Sequence, residues 1–279
     1  MEPEAICVSR EPVGAKSVRI SIITVVRNAA GTIERALESL AAQRWDAVEH
    51  IVVDGKSTDG TTEILERYRD RFAILVVEED CGPTEAINKA LMMVTGEFVG
   101  FLLAGDWYEP GALALVAEQA DKGDVLCGDM LNWDYAQPVY VSHADPARLH
   151  CEMSVNFPAT FFRRSVLRRV GGFEKSFDIA TDYDIILRCI VSGAKLHRVE
   201  AVLANMTLDG RSAQYWVKGY WHAARSKTLH LGSPVKNIAF FALQVVRTAV
   251  RISFNALGLH EVVRFYRARL SPCRKSIPQ

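Results

Sequence analysis

Between residues 18 and 103 four apolar runs of strand length alternate with three segments of helical spacing, and that alternation dictates most of what the chain can become. The runs at 19–26 (RISIITVV), 50–54 (HIVVD), 72–77 (FAILVV) and 97–103 (EFVGFLL) are nearly continuous in apolar residues, as strands covered on both faces are. Between the first two, Ile33, Ala36, Leu37 and Leu40 recur at helical spacing within 32–42, and 61–69 and 83–93 follow the same pattern. Strands alternating with helices pair in parallel, because each return crossing is a helix laid on the sheet. The expected fold class is therefore α/β, a mostly parallel sheet flanked by helices, its first half of the nucleotide-binding kind. Pro110 suits the first turn of a further helix. Beyond Gly123 the pattern changes to short strands near 125–127 and 139–141, a long connection, a helix over 182–191 and 65 final residues of helical pattern.

Composition narrows the setting. At 279 residues, 49% hydrophobic and 24% charged, the chain can bury a substantial core, and the mixture excludes disorder, collagen and coiled coil. Formal net charge is zero, but from Arg211 onward there are twelve Lys or Arg and one acid, Glu261, which leaves 21 basic and 32 acidic residues before that point. So uneven a distribution implies a basic C-terminal surface. Six cysteines form no CxxC pair and no Cys/His ligand spacing, so neither structural zinc nor a disulfide framework is expected. The first twenty residues, with Glu2, Glu4 and Glu11, lack the basic and apolar regions of a secretory signal, and a cytoplasmic location is expected.

In open parallel sheets ligands bind beyond the carboxyl ends of the strands, where helix N-termini and loops converge. Here those ends read Arg27-Asn28, DGKSTDGT (54–61), EEDCGP (78–83) and LAGDWY (103–108), and three of the four carry carboxylates. These stretches, together with Asn88-Lys89-Ala90 before Thr95-Gly96, FFRRSVLRRVGGF and ATDYDIILR, occur in the order and spacing of family 2 glycosyltransferases of the GT-A fold. The resemblance covers residues 18–211, and its nearest look is to the bacterial surface-polysaccharide branch with its colanic-acid-type transferases.

The resemblance implies a GT-A type, Rossmann-like domain and assigns roles. Asp54 resembles the carboxylate that accepts the imide hydrogen of a uracil-type base, its alternative being a cap of the Asp-Gly turn. Thr24, Val26 and Asn28 resemble the strand edge facing the nucleoside, with core strand the alternative for the first two. Asp106, preceded by Ala104 and Gly105 where relatives often keep a second acid, resembles the ligand of Mg or Mn that neutralises a diphosphate leaving group, or else an N-terminal cap before Pro110. Asp182 stands where the family keeps the base that deprotonates the acceptor hydroxyl, as an inverting displacement requires. Thr181 replaces the Glu usual before it; Thr181 and Asp184 suit the start of a helix. Asn88 and Lys89 lie near an Asn-x-Gly pattern, with Lys89 either approaching phosphate or solvated. Arg211, in LDGRS, resembles a diphosphate clamp. Phe157-Pro158 replaces the His-Pro common in relatives.

The sequence divides into an extension (1–17), a glycosyltransferase domain (18–212, with a nucleotide-binding half over 18–122 and an acceptor half over 123–212) and a basic amphipathic helical tail (213–279). In the tail, Asn237, Gln244, Arg247, Thr248, Arg251 and Asn255 share one helical face, and Ile238, Phe241, Val245, Val246, Ile252 and Leu257 look elsewhere. The longest uncharged stretch, between Lys236 and Arg247, is too short to span a bilayer, so the tail is read as lying on an anionic membrane surface, or packed on the domain or on a second subunit. Nucleic acid is disfavoured by its apolar content.

The expected activity is inverting, metal-dependent transfer of a hexose from a nucleoside diphosphate sugar, UDP foremost, to a hydroxyl of a lipid-linked saccharide, by an enzyme peripheral to the inner face of the membrane. A pyrophosphorylase or a dehydrogenase is disfavoured because the turn after the first strand has a single Gly and no GxGxxG. A non-catalytic membrane scaffold that retained the fold is the rival from another class.

Overall fold

The computed structural model describes residues 18–134, 136–208, 214–259, 262 and, as backbone, 274–276. The extension at 1–17 and Arg211 lie outside these residues.

Strand β1 (Ile20–Val26) is buried along its whole length and forms the axis of the sheet. It pairs in parallel with β2 (Val48–Asp54) on one side and β4 (Phe98–Phe101) on the other, and β2 pairs in parallel with β3 (Ile74–Val77). Alternate side chains of β1 serve two apolar layers. Ile20, Ile22 and Val26 join helices α1 (Ile33–Ala41) and α4 (Ala112–Glu118) on one face. Ile23 and Val25 join α3 (Pro83–Leu91) and α6 (Thr181–Val191) on the other. Helix α2 (Thr61–Arg67) completes the four β/α units read from the sequence. The helix assigned to Pro110 starts at Ala112, behind Gly111 in a left-handed conformation.

The second half is richer in strands than its sequence pattern suggests. Strand β5 (Asp106–Tyr108) pairs with β9 (Leu196–Thr207), and β8 (Thr160–Arg163) joins β4 antiparallel before helix α5 (Arg164–Val170). Strands β6 (Val125–Asp134) and β7 (Gln137–Ser142) extend well beyond the short runs expected. Their length was hidden because β6 buries Asp129 and Asn132, which break its apolar pattern. Asp129 accepts from His143, the Ala144 N–H and Arg198, and Asn132 donates to Ser142, so the buried polar atoms are satisfied. A short backbone strand, β10 (Arg274–Ser276), pairs with β7 inside a region read as wholly helical.

Among its described residues the tail forms helices α7 (Trp216–Leu231) and α8 (Pro234–Ala256), joined at Gly232 and Ser233, both of positive φ. Helix α7 packs against α6, against the 3₁₀ segment Lys175–Ala180 and against α8.

Candidate functional site

The register of the parallel strands builds one edge. Val26 is opposite Asp54, and Asp54 is opposite Val77, so the loops leaving β1, β2 and β3 start level with one another. Asn28, at φ 53°, couples the first two: its side chain accepts from the Thr58 N–H (2.9 Å) and its N–H donates to Ser57 Oγ (2.8 Å).

Asp54 is fully buried and wholly engaged in that loop. One carboxylate oxygen accepts from the Ser57 N–H and hydroxyl (3.1 and 2.5 Å), and the other from the Thr62 hydroxyl at 2.6 Å. This is the turn-capping arrangement that the sequence left open. Asp80 faces the same place. It is half-buried, one carboxylate oxygen accepts from the Gly82 N–H, and a Cβ added to Gly55 would lie 2.6 Å from the other oxygen and 3.3 Å from Arg27 Cδ. Glycine at 55 thus lets residues from the ends of β1 and β3 close over the loop of β2. The sequence displays Asp80 only as one acid in EEDCGP; the signal for it is Gly55, a residue without a side chain where a neighbouring carboxylate comes in.

Other expected nucleoside contacts have interior or structural partners. The Thr24 hydroxyl donates to the Leu102 carbonyl (2.8 Å) and meets His50 at 2.9 Å, both buried. Val26 is buried, and its carbonyl accepts from the Gly55 N–H at 2.9 Å. Both ends of the Asn88 amide bond the Phe173 backbone (2.7 and 2.8 Å), fastening α3 to the Gly-Gly-Phe turn. Lys89 forms an ion pair with Glu78.

Asp106 follows a turn through half-buried Ala104 and through Gly105 at φ 101°, opposite Met206. It is buried, has no ion pair or side-chain hydrogen bond among the described residues, and burial pushes its carboxyl up to about 8, opposed only by a hydrogen bond from the Leu103 backbone. A buried carboxylate in that state lacks the positive partner that would hold it ionised. No three His, Cys, Asp or Glu side chains gather as a metal cage among the described residues. A hard divalent cation fits Asp106 as its single protein carboxylate, provided a bound ligand's phosphates supply most of the other oxygens.

Asp182 belongs to the layer of α3 and α6. It sits in the first turn of α6, between Ala180 and Tyr183, which pack in the apolar cluster holding Phe101 of β4, with Leu103 against it. The Tyr183 N–H donates to it at 2.7 Å, and burial raises its carboxyl to about 6. Asp184, two residues on, points away into the tail: fully buried, it bonds Arg188 (2.8 Å), Ser226 (2.8 Å) and His230 (2.9 Å).

A family model described as Glycosyl transferase family 2 matches residues 21–173, more than half of the chain. The chain belongs to glycosyl transferase family 2. The match runs from β1 to the Gly-Gly-Phe turn and so includes Asp54, Asp80 and Asp106. Curated relatives include a PGL/p-HBAD biosynthesis glycosyltransferase of Mycobacterium bovis (strain BCG / Pasteur 1173P2), 28% identical over 191 residues, covering 64% of this chain and 72% of that protein. The succinoglycan biosynthesis protein ExoU of Rhizobium meliloti (strain 1021) is 25% identical over 236 residues, covering 74% and 68%. Among solved structures, the mannosyltransferase PcManGT from Pyrobaculum calidifontis, in complex with GDP-Man and Mn2+, aligns with TM-score 0.59 at 21% identity over 90% of this chain and 82% of its own. S. aureus TarS 1-349 in complex with UDP-GlcNAc gives 0.58 at 20% identity over 80% and 70%. At such identities the likeness is one of fold, and it makes this glycosyltransferase a GT-A α/β protein.

Proposed function

We propose that this family 2 glycosyltransferase transfers a hexose with inversion from a UDP-sugar to a hydroxyl of a lipid-linked saccharide, at the inner face of a bacterial membrane, in the surface-polysaccharide branch that includes colanic-acid-type enzymes. The biosynthetic roles in the names of the mycobacterial and rhizobial relatives, and the UDP-sugar bound by TarS, support that substrate class. Asp182 removes the proton from the acceptor hydroxyl; a carboxyl held near 6 is ionised at neutral pH yet basic enough to accept it. Asp106 holds Mg or Mn, whose charge offsets the negative charge developing on the leaving diphosphate. Asp54 shapes the nucleoside pocket by fixing the 54–62 loop, with Asn28 beside it, and the oxygen turned toward the base is that of Asp80. Thr24, Val26 and Asn88 support this wall from behind, Ala104 belongs to the turn that presents Asp106, and Arg211 takes the diphosphate-clamp role that the family resemblance implies.

The observation that carries the reading is Asp106, a carboxyl buried at the start of β5 and raised to about 8, with a backbone hydrogen bond from Leu103 but no ion pair among the described residues. The non-catalytic alternative assigns that residue no task. A panel of nucleotide sugars, with and without Mn2+, tests the difference by calorimetry and by slow hydrolysis. Metal-dependent binding of a UDP-sugar with measurable hydrolysis is expected, whereas no binding at millimolar ligand would leave the scaffold. Asp182→Asn is expected to keep nucleotide affinity and lower transfer about 10³-fold, and wild-type turnover should decline below about pH 6 as Asp182 takes up a proton. A pH profile flat through that range, or unchanged turnover in the variant, would remove Asp182 from the mechanism.

A further inference from the structure

Helix α8 is turned inside out relative to a helix on a water-soluble surface. Its polar stripe faces the protein: Asn237 donates to the Gly232 carbonyl (2.7 Å) and to Thr228 (3.1 Å), Gln244 donates to Glu152 (3.1 Å), and buried Thr248 bonds the Tyr220 hydroxyl (2.9 Å). The opposite side carries Val235, Ile238, Leu243, Val246, Val250 and Leu257, exposed by between 47% and 80%. At 100° per residue these fall on one sector, and Lys236, Arg247 and Arg251 follow along its flank. Apolar Trp221, Leu229 and Ile238 continue the surface into a hollow between α7 and α8 that Phe177 and Arg225 also line.

We infer that this outward face of α8 lies in the headgroup region of an anionic lipid bilayer, flat against it, with the flanking cations among the lipid phosphates. Charge selects this occupant. Residues 214–259 hold six Lys or Arg and no acid, so two copies meeting face to face through α8 would set cations against cations, while an anionic surface complements them. By length and composition α8 is able to cross a membrane. Its three polar attachments, however, span Asn237 to Thr248, roughly 16 Å of helix, and crossing would break them all. An apolar sector with a cationic flank, fastened along its length to a polar body, is the geometry of an in-plane helix.

The seat reaches the catalytic helix through α7. His222 bonds the Phe177 carbonyl at 2.6 Å, and Ser226 and His230 both bond Asp184, two residues from Asp182. One layer of helix therefore separates the lipid-facing helix from the helix that carries the proposed base. This deepens the proposed transfer to a lipid-linked acceptor and rests on that reading for its purpose, though not for the docking itself.

Cosedimentation of the full chain with phosphatidylcholine vesicles, with and without phosphatidylglycerol, tests it. Binding to the anionic vesicles is expected to exceed binding to the neutral ones by about tenfold or more and to fall with added salt. Val246→Glu and Val250→Glu, both on the exposed sector, should each weaken it by a similar factor while leaving helix content and nucleotide-sugar hydrolysis in vesicle-free solution unchanged. Lys236→Glu should weaken binding to anionic vesicles alone. Failure to sediment with either vesicle, or a solution dimer that Val246→Glu dissociates, overturns the inference. Loss of hydrolysis in the wild type with vesicle binding intact would instead overturn the proposed reaction and leave the docking standing.

Discussion

Two loops at the carboxyl edge of one sheet bury a carboxylate each and treat it in opposite ways. After β2, Asp54 is surrounded by donors from Ser57 and Thr62 and has become part of the frame. After β4, Asp106 is also buried but has no side-chain donor among the described residues, only the Leu103 backbone, and its carboxyl is pushed up to about 8. A satisfied buried carboxylate holds a loop in shape; an unsatisfied one weakens the fold and is found where a ligand is to complete it. Identical residue types, one at the carboxyl end of β2 and one at the start of β5 beyond β4, thus divide into structure and chemistry according to their neighbours.

Replacing Asp106 gives the largest effect and tests the division most directly. Its folded-state pKa is raised above the unfolded value, so the folded chain binds that proton more tightly, and its unfavourable contribution grows as pH rises from about 4 to about 8. Asp106→Asn is therefore expected to lose transfer by about 10²-fold or more while gaining stability at pH 7, by at most about 4 kcal/mol, with a flatter stability-pH curve over that interval. Kinetics and thermal melts at several pH values check both halves. A variant that melts lower than the wild type would place Asp106 with Asp54, among the frame-building carboxylates.

Asp54→Ala comes next, with the opposite sign. It leaves two hydroxyls and an N–H without their acceptor, and unsatisfied buried groups cost about 1 to 3 kcal/mol each, less any that water reaches. A loss of about 3 kcal/mol in denaturant titration is expected, with affinity for UDP falling as the 54–62 loop loosens. Unchanged stability would show that the loop holds without its carboxylate and would erase the contrast.

What the sequence disclosed, and what it did not, follows the same line. The α/β fold was readable because each parallel strand, including the half-buried edge strand β3, is a near-continuous apolar run ending abruptly in polar residues, so β1 to β4 and the loops beyond them could be located by residue type alone. Whether a carboxylate is saturated was not readable, since Ser57 and Thr62 look like any loop hydroxyls until the chain brings them to Asp54. Asp184 read as a helix-start acid, whereas Arg188, Ser226 and His230 make it the anchor of the tail, and two of those partners lie more than forty residues away. In α8 the periodicity carried no information about which face is outward; the bonds of Asn237, Gln244 and Thr248 decide that, and Arg247 and Arg251, grouped with them by periodicity, fall on the flank of the outward sector. Strands β6 and β9 were short or missing in the sequence reading because buried polar residues paired across strands interrupt the apolar pattern.

Asp80 supplies the smallest effect and the finest test. If Asp54 is frame, recognition of the base falls to the carboxylate beside Gly55, which has an oxygen available to accept a hydrogen bond from a ring N–H. The equivalent ring position of cytosine offers a lone pair instead of a proton, so the same carboxylate discriminates against it. Asp80→Asn replaces one acceptor oxygen by a donor and removes the charge, and it should weaken UDP binding by about tenfold while narrowing the preference for UDP over CDP, with the melting temperature unchanged. Calorimetric titration of both nucleotides against both Asp80→Asn and Asp54→Asn gives the answer. Should the preference follow Asp54 at constant stability, the carboxylate that builds the loop also reads the base, and the division between frame and chemistry at this edge breaks down.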